Sequence, residues 1–373
     1  MENQKSPLIK FYLFFFLLIV FLPIFQFTFK PFKVRGLEGA FILNVMPKLT
    51  ISSWVNTNFQ DSTSTYLTHN TPFRGELVRL RNQLDYSLFD KINTILTLGK
   101  ENYLFDPSYI KSRSGDDLLL PEVLAQKIEK IRKAKTVLDK LNVPILFCFA
   151  PNKANYYPEF LPKETPLALI RNQTIIEKEL TNLGISTLNF DAIFRKEKPS
   201  SSYSLIPKYG AHWSTFGAFL ASRKLFQSID SITNKKHIEI NLVALETKGK
   251  AKFSDCDYLA SLNLLKRWES PSLAYPEVSF NVINKPNLLI ISDSFFWNFY
   301  DLNIPQNTFS LESEMWYYNK SKYNINKEKI GECKILSIDD LKNRDVIIIL
   351  SADPSLLDVG FGIFEQISNL NGH

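Results

Sequence analysis

Short, nearly continuous apolar runs alternate along the chain with stretches in which apolar residues recur every three or four positions. The apolar runs are VPILFCFAP (143–151), ISTLNF (185–190), LLIIS (288–292) and DVIIILS (345–351). The stretches with helical spacing are 74–91, 120–142, about 165–183, and one from Ser214 or Thr215 to about Ser228. Apolar strands that alternate with amphipathic helices predict an α/β fold whose mostly parallel sheet is covered on both faces.

An uncharged apolar segment lies near the N-terminus. Residues 11–29 form a run of nineteen residues without a charge, which is about the length that crosses a hydrocarbon core of ~30 Å as a helix. No small-x-small cleavage site follows it. We therefore predict an uncleaved signal anchor within residues 1–35, a single transmembrane helix. A cleaved signal peptide is the alternative, and a buried core helix fits less well because the run is apolar all round.

The rest of the chain divides by composition. Residues 36–72 are polar and rich in Ser, Thr and Asn, so residues 36–85 are predicted to form a connector and a first helix. Residues 86–373 are predicted to form one α/β domain. In such a sheet, ligands bind beyond the carboxyl ends of the strands.

Charge and cysteine content exclude several classes of protein. The net charge of +6 over 373 residues is mild, and Lys and Arg are scattered, so no nucleic-acid partner is expected. The three cysteines are far apart and lack the Cys/His spacing of a zinc site. Cys148 lies inside an apolar run and is predicted to be a core residue. We expect no metal and no cofactor.

Two short segments carry candidate chemistry: KYGAHWSTFGA (208–218) and LLIISDSFFWNF (288–299). A serine at the end of a strand can present its hydroxyl on the rim of the sheet, and Ser294 occupies that position. Histidine is the usual base for a serine nucleophile, and His212 is one of four histidines. The alternatives are a packed histidine and a serine that caps a helix. The GxSxG elbow is missing.

The ordered set GKENYLF, VPILFCFAPNKANYYPEFLP, GAHWSTFGA and ISDSF resembles the motifs of the alginate O-acetyltransferase family of SGNH-hydrolase-like proteins. The match spans roughly residues 95–300. The resemblance implies a flavodoxin-like SGNH domain outside the cytoplasm of a bacterium and acetyl transfer to or from the sugar hydroxyls of an exopolysaccharide. It also implies Ser294 as the nucleophile and His212 as its base.

Two positions depart from the family pattern. The family has an acid two residues before the histidine, where this chain has Gly210, and a glycine where it has Ser292. The orienting acid fixes the imidazole tautomer. Either another acid replaces it, or a Ser–His dyad works with a backbone carbonyl as the orienting group, or the protein is a weak or inactive relative. Two candidates that could fold back are Asp255 and Asp257. Asp293 is expected to point to the other side of the turn and to be structural.

Further residues are candidates for binding. The backbone N–H of Ser294 or Phe295 is a candidate oxyanion donor. The residues proposed to contact a polysaccharide are Lys153, Tyr157 and Trp213, and the aromatic residues that could stack on sugars or belong to the core are Trp297, Trp316, Tyr317 and Tyr318.

The leading hypothesis is an O-acetyltransferase, or an esterase with the same residues, that is anchored in the bacterial inner membrane and faces the periplasm or cell exterior. Its substrate would be a cell-envelope polysaccharide, and the resemblance implies a membrane-embedded acyl-transfer protein as the acetyl donor. The alternative is a membrane-tethered polysaccharide-binding or assembly subunit that keeps the fold without catalysis.

Overall fold

In this computed structural model the chain is described over residues 5–39, 45–247, 250–271, 273–333 and 336–372. It divides into two compact units. The first comprises residues 1–94 and 259–268, and the second comprises residues 95–258 and 269–373. The boundaries predicted at residues 35 and 85 remain predictions.

The first unit is helical. Its helices are α1 (Lys5–Phe29), α2 (Ile51–Val55), α3 (Asn58–Asn70) and α4 (Arg74–Phe89). Within α1, residues Pro7–Phe29 have a mean hydropathy of 2.6, and most of their side chains are exposed, although Gln26 is buried. The predicted N-terminal apolar helix is therefore confirmed, and its length and composition suit a membrane span.

Helix α4 is confirmed, but its apolar stripe faces outward. The side chains of Leu77, Leu84 and Leu88 are 50–66% exposed, whereas Arg79 and Asn82 are buried. Arg79 donates to the carbonyls of Arg35 and Gly36. The buried side of α4 is thus a polar one, held by hydrogen bonds rather than by apolar packing.

The second unit contains the sheet. Its remaining helices are α5 (Pro107–Ser114), α6 (Pro121–Leu141), α7 (Lys153–Tyr156), α8 (Asn172–Asn182), α9 (Phe190–Glu197), α10 (Thr215–Thr233), α12 (Trp297–Asp301), α13 (Ile304–Thr308), α14 (Ile338–Leu341) and α15 (Ile363–Ser368), with α11 (Asp257–Ser261) at the boundary of the units. Its strands are β1 (Thr97–Leu98), β2 (Leu104–Phe105), β3 (Ile145–Phe149), β4 (Ser186–Asn189), β5 (Ile238–Glu246), β6 (Tyr275–Val282), β7 (Leu288–Ser292), β8 (Glu314–Tyr317), β9 (Ser321–Tyr323), β10 (Lys329–Glu332) and β11 (Val346–Ser351).

Among the described residues, seven strands form the main sheet in the order β10-β9-β8-β7-β11-β3-β4. The pairs from β8 to β4 are parallel, and β9 and β10 add an antiparallel edge. The four predicted strands are β3, β4, β7 and β11. The predicted α/β class with a mostly parallel sheet is confirmed.

Alternate residues of the central strands face two apolar layers. Leu146, Ile290 and Ile348 belong to one layer, with residues of α9 and α10. Phe147 and Ile349 belong to the other, with residues of α6, α8 and α15. Helices therefore cover both faces of the sheet, which explains why its strands are continuous apolar runs rather than alternating ones. Cys148 is buried in the first layer, as predicted.

Some elements differ from the prediction. Helix α8 begins at Asn172 rather than near residue 165, because the Thr174 hydroxyl accepts a hydrogen bond from the Arg171 N–H and fixes the first turn there. The antiparallel hairpin of β5 and β6 was not predicted. Much of β5 is exposed, so it lacks the apolar run that marks the central strands.

Candidate active site

The turn after β7 carries Ser294 at the carboxyl edge of the sheet. Asp293 fixes this turn: its carboxylate accepts hydrogen bonds from the Phe295 N–H at 3.0 Å and from the Ala352 N–H at 2.7 Å. Burial raises the pKa of Asp293, and the two backbone donors oppose that effect. Through these two bonds the Asp293 carboxylate joins the ends of β7 and β11.

Folding brings His212 and Ser294 together, although 82 positions separate them. His212 Nε2 lies 2.7 Å from Ser294 Oγ. The imidazole also packs edge-on against the ring of Phe295, with 5.0 Å between the ring centres. The 2.7 Å between Nε2 and Oγ allows proton transfer between the hydroxyl and the imidazole.

The loop that precedes His212 is held by a buried lysine. Lys153, at the start of α7, is 2% exposed, and its Nζ donates to the carbonyls of Lys208 at 2.8 Å and Gly210 at 2.9 Å. Burial lowers its pKa to about 7. The ammonium of Lys153 is therefore committed to positioning the histidine loop and does not reach the surface.

The other two residues expected to bind substrate are also buried. Tyr157 donates its hydroxyl hydrogen to the Ile206 carbonyl at 2.8 Å. Trp213 has no exposed surface and packs edge-on against Phe190 and Phe295. Both residues make buried contacts with or within the loop that carries His212, and neither lines an open surface. Of the four aromatic residues considered for sugar stacking, Trp297 lines the pocket at Ser294.

Asp257 is the carboxylate nearest the other ring nitrogen. One of its oxygens accepts a hydrogen bond from the Ala211 N–H at 2.9 Å. The other lies 3.5 Å from His212 Nδ1. This separation is an ion-pair distance but exceeds that of a normal N–H···O bond, and Nδ1 makes no hydrogen bond with any residue that the structure describes.

Gly210 explains how a distant acid reaches the histidine. A Cβ atom at this position would lie 2.6 Å from Pro207 Cγ and 2.9 Å from the Ser254 carbonyl oxygen. The segment at Ser254 therefore packs directly against the glycine, where a side chain would hold it away. Glycine at position 210 supplies no acid. It leaves room for the neighbouring segment, which places Asp257 near the imidazole.

Asp255 faces elsewhere. Its buried carboxylate accepts a hydrogen bond from the Thr215 hydroxyl at 3.1 Å, at the first turn of α10. Burial raises its pKa to about 7, against the effect of its hydrogen bonds. Of the two acids considered from sequence, Asp257 approaches His212 and Asp255 supports α10.

Tyr318 is a second group beside the serine. Burial raises its pKa to about 12, while hydrogen bonding with the side chain and backbone of Ser294 acts in the opposite direction. The Phe295 N–H already donates to Asp293. Both the Ser294 N–H, which interacts with the Tyr318 oxygen, and the Tyr318 hydroxyl are hydrogen-bond donors beside the serine. The sequence offered Tyr318 only as an aromatic residue, because no local signal indicated its contact with Ser294.

His212 and Ser294 open into a pocket of about 360 Å³, whose other lining residues are Phe253, Ser254, Trp297, Asp301 and Lys327. Within the described part of the chain, no three His, Cys, Asp or Glu side chains are grouped to hold a metal ion. The residues at the pocket are suited to nucleophilic acyl transfer.

Comparisons with known proteins find partial similarity, and no family model matches the chain. Over 149 residues, 39% of the chain, it is 25% identical to 37% of a protein of Pseudomonas putida named probable alginate O-acetylase AlgJ. Over 146 residues, 38% of the chain, it is 26% identical to 35% of the protein of that name from Pseudomonas aeruginosa. The chain therefore matches about a third of the length of these relatives.

Solved structures overlap more of the chain at lower identity. The O-acetyltransferase domain of Pseudomonas putida AlgJ covers 74% of this chain and 98% of its own, with 15% identity and a TM-score of 0.48. Pseudomonas aeruginosa AlgX covers 73% of this chain and 67% of its own, with 12% identity and a TM-score of 0.46. Bacillus cereus PatB1 covers 72% of this chain and 99% of its own, with 12% identity and a TM-score of 0.43.

The resemblance predicted from four ordered motifs is confirmed: part of this chain is similar in sequence to proteins named alginate O-acetylases.

Proposed function

We propose that this protein is a serine-dependent O-acetyltransferase that acts on a polysaccharide of the bacterial cell envelope. The observation that carries the proposal is the distance of 2.7 Å between His212 Nε2 and Ser294 Oγ at the carboxyl edge of the sheet. The acid Asp257, 3.5 Å from His212 Nδ1, supports it. The relatives named alginate O-acetylases supply the reaction class.

The reaction has two transfers at one serine. His212 Nε2 takes the hydroxyl proton of Ser294 as Oγ attacks the carbonyl carbon of an acetyl donor. The tetrahedral intermediate collapses, the donor's leaving group receives the proton from His212, and an acetyl ester of Ser294 remains. A sugar hydroxyl then loses its proton to His212 and attacks the acetyl carbon, and the returning proton restores Ser294. Water in place of the sugar gives esterase activity.

Three sets of groups would assist these steps. The carboxylate of Asp257 would orient the imidazole and stabilise the imidazolium once its side chain rotates toward Nδ1. The Ser294 N–H and the Tyr318 hydroxyl would meet the oxyanion of each tetrahedral intermediate. Lys153, Tyr157 and Trp213 would act by positioning the loop that carries His212.

We further propose that α1 anchors the protein in the inner membrane as a single pass, with the second unit in the periplasm or outside the cell. The mean hydropathy of 2.6 over Pro7–Phe29 supports the anchor. A membrane-embedded acyl-transfer protein is the proposed acetyl donor, in line with the family resemblance.

A second function has one observation in its favour. Because Asp257 lies 3.5 Å from Nδ1, the protein could be a polysaccharide-binding or assembly subunit without turnover.

The experiment that separates the two functions is acetyl-ester turnover by the purified full chain, with acetyl-Ser294 trapped and located by mass spectrometry. Ser294→Ala is expected to abolish both signals. Asp257→Asn is expected to lower kcat by about a hundredfold or more.

Asp255→Asn is the matched control, because it makes the same chemical change two positions away at a side chain that faces α10. It is expected to stay within about twofold of the natural chain, since it leaves the His212 contacts in place. Turnover that persists in Ser294→Ala, or an unmodified Ser294 in the active protein, would refute the serine mechanism. A folded natural chain with no turnover would favour the binding subunit.

A further inference from the structure

A second cleft adjoins the catalytic pocket. Its volume is about 740 Å³, and it runs along the β5–β6 hairpin from Ala244 and Glu246 to Tyr275 and Val278. Phe253 and Asp301 line both this cleft and the pocket that contains Ser294, so the two spaces are neighbours. Small-molecule sites usually occupy about 300–1,000 Å³, and the cleft is large enough for several linked sugars next to the reacting group.

Phe253 lies where the two spaces meet, and its environment is unusual for an aromatic residue. Its side chain is 55% exposed, and its φ of 52° is in the left-handed region. A bulky residue in that region is strained, and such strain is concentrated at functional sites. The ring lies 6.4 Å from that of Tyr275. An exposed ring held in this way offers an apolar face to the carbon-bound hydrogens of a sugar.

The charges of the cleft indicate which sugars it would accept. Lys252 forms an ion pair with Glu246, and Lys327, in the catalytic pocket, lies 3.7 Å from Asp301. The remaining charged side chain of the cleft, Glu277, has no ion-pair partner among the described residues. Both cations are thus paired with acids, and one acid is left over. Among the described side chains that line the cleft and the pocket, a polymer with a carboxylate on every sugar would meet no surplus positive charge.

We propose that this cleft binds the acceptor glycan of the proposed acetyl transfer, and that the acceptor is a chain of uncharged sugars rather than a polyuronate. The glycan would lie along the β5–β6 hairpin and stack on Phe253, which brings one hydroxyl to Ser294. This inference rests on the proposed function for the identity of the reaction, but binding in the cleft does not require turnover.

The matched ligands for a test are β-1,4-linked mannohexaose and the corresponding hexamannuronate, because they share a backbone and differ in the carboxylate. Binding to the full chain in detergent is measured by calorimetry in the Ser294→Ala background, where acetyl transfer cannot interfere. Mannohexaose is expected to bind at least about tenfold more tightly than hexamannuronate at low salt. Tighter binding of hexamannuronate, or no binding of either hexamer, would overturn the proposal.

Two variants locate the site. Ala244 is an exposed residue that lines the cleft, and Ala244→Trp should fill it and weaken mannohexaose binding by about tenfold or more. Val243→Trp is the matched control, because Val243 is the exposed neighbour outside the cleft lining. Equal losses in both variants, or none in Ala244→Trp, would contradict the assignment.

A charge reversal tests the choice of sugar. Glu277→Lys should improve hexamannuronate binding by about threefold to tenfold, with an effect that fades as salt rises. No change would refute the electrostatic argument.

The proposed function and this inference can fail separately. If the natural chain shows no ester turnover but binds mannohexaose, the proposed function alone is wrong. Intact turnover without binding in the cleft would defeat this inference alone.

Discussion

At the scale of single residues, the candidate site depends on a glycine as much as on its reactive groups. The Ser254 carbonyl oxygen would lie 2.9 Å from a Cβ at position 210. The absent side chain therefore gives room to the segment that carries Asp257, whose carboxylate lies beside His212. The position that looks like a lost catalytic acid in the sequence is a packing requirement in the folded chain.

This packing predicts the effect of restoring the acid. Gly210→Asp should lower acetyl-ester turnover by at least about tenfold and cost roughly 1–3 kcal/mol of folding stability, because the new side chain would overlap Pro207 and Ser254. Steady-state kinetics and thermal unfolding in detergent measure the two effects. Gly210→Ala separates packing from charge and should lose most of the same activity. A rise in turnover with Gly210→Asp would contradict the assignment to Asp257.

The buried acid Asp255 predicts a dependence of stability on pH. Its pKa is raised to about 7 in the folded protein and should be ~3.9 in the unfolded chain. Between these values the folded state holds more protons, so this group makes the free energy of unfolding fall as pH rises from ~4 to ~7. Asp255→Asn should remove that loss and be more stable than the natural chain at pH 8 by on the order of 1 kcal/mol.

Unfolding at pH 5 and pH 8 checks this expectation. Asp257→Asn serves as the control, because Asp257 is not enclosed as Asp255 is. The same pH dependence in Asp255→Asn and in the natural chain would refute it.

At the scale of elements, the structure keeps the predicted helices and strands but reassigns one face. The spacing of Leu77, Leu80, Leu84 and Leu88 predicts helix α4, which forms. Spacing alone does not say which side is covered. Here the polar side is buried, since Asn82 donates to the carbonyls of Leu262 at 2.9 Å and Asn263 at 3.4 Å. The central strands had no such ambiguity, because both of their faces are apolar.

Because the polar side of α4 is buried, truncating a polar residue of this helix should destabilise the protein more than truncating one of its leucines. Leu84→Ala should change the free energy of unfolding by less than about 0.5 kcal/mol, because Leu84 is 50% exposed. Asn82→Ala should cost about 1–3 kcal/mol, since it leaves buried carbonyls without their donor. Thermal unfolding of both variants in detergent gives the comparison. A larger loss for Leu84→Ala would mean that another surface covers the leucine stripe.

At the scale of the whole molecule, one apolar helix and one α/β unit serve different purposes. The described helix α1 is long and apolar enough to cross a membrane. The second unit holds all the groups of the candidate site. The division fits the proposed function, in which the protein is held at a membrane while it acts on a polymer outside.

The anchor predicts how the chain partitions in cells. The natural protein should stay with the membrane fraction after alkaline extraction. Phe16→Arg with Phe21→Arg should move much of it to the soluble fraction, because each arginine near the middle of a span costs about 2.5–3.5 kcal/mol on insertion scales. Leu77→Arg with Leu84→Arg adds the same charge at exposed positions of α4 and should leave the protein membrane-bound. Full retention of the first variant would contradict the anchor.

The sequence by itself determined the apolar helix and the central parallel strands, and it selected Ser294 and His212 as the candidate reactive pair. These features are local: a continuous apolar run marks a membrane helix or a doubly covered strand, and a serine after such a strand lies at its carboxyl edge. Only the tertiary structure decided which acid faces His212, that Lys153 and Trp213 are buried, that Tyr318 meets Ser294, and that a cleft follows the β5–β6 hairpin. Each of these depends on contacts between segments far apart in the chain, which are set by packing and leave no periodic pattern in the sequence.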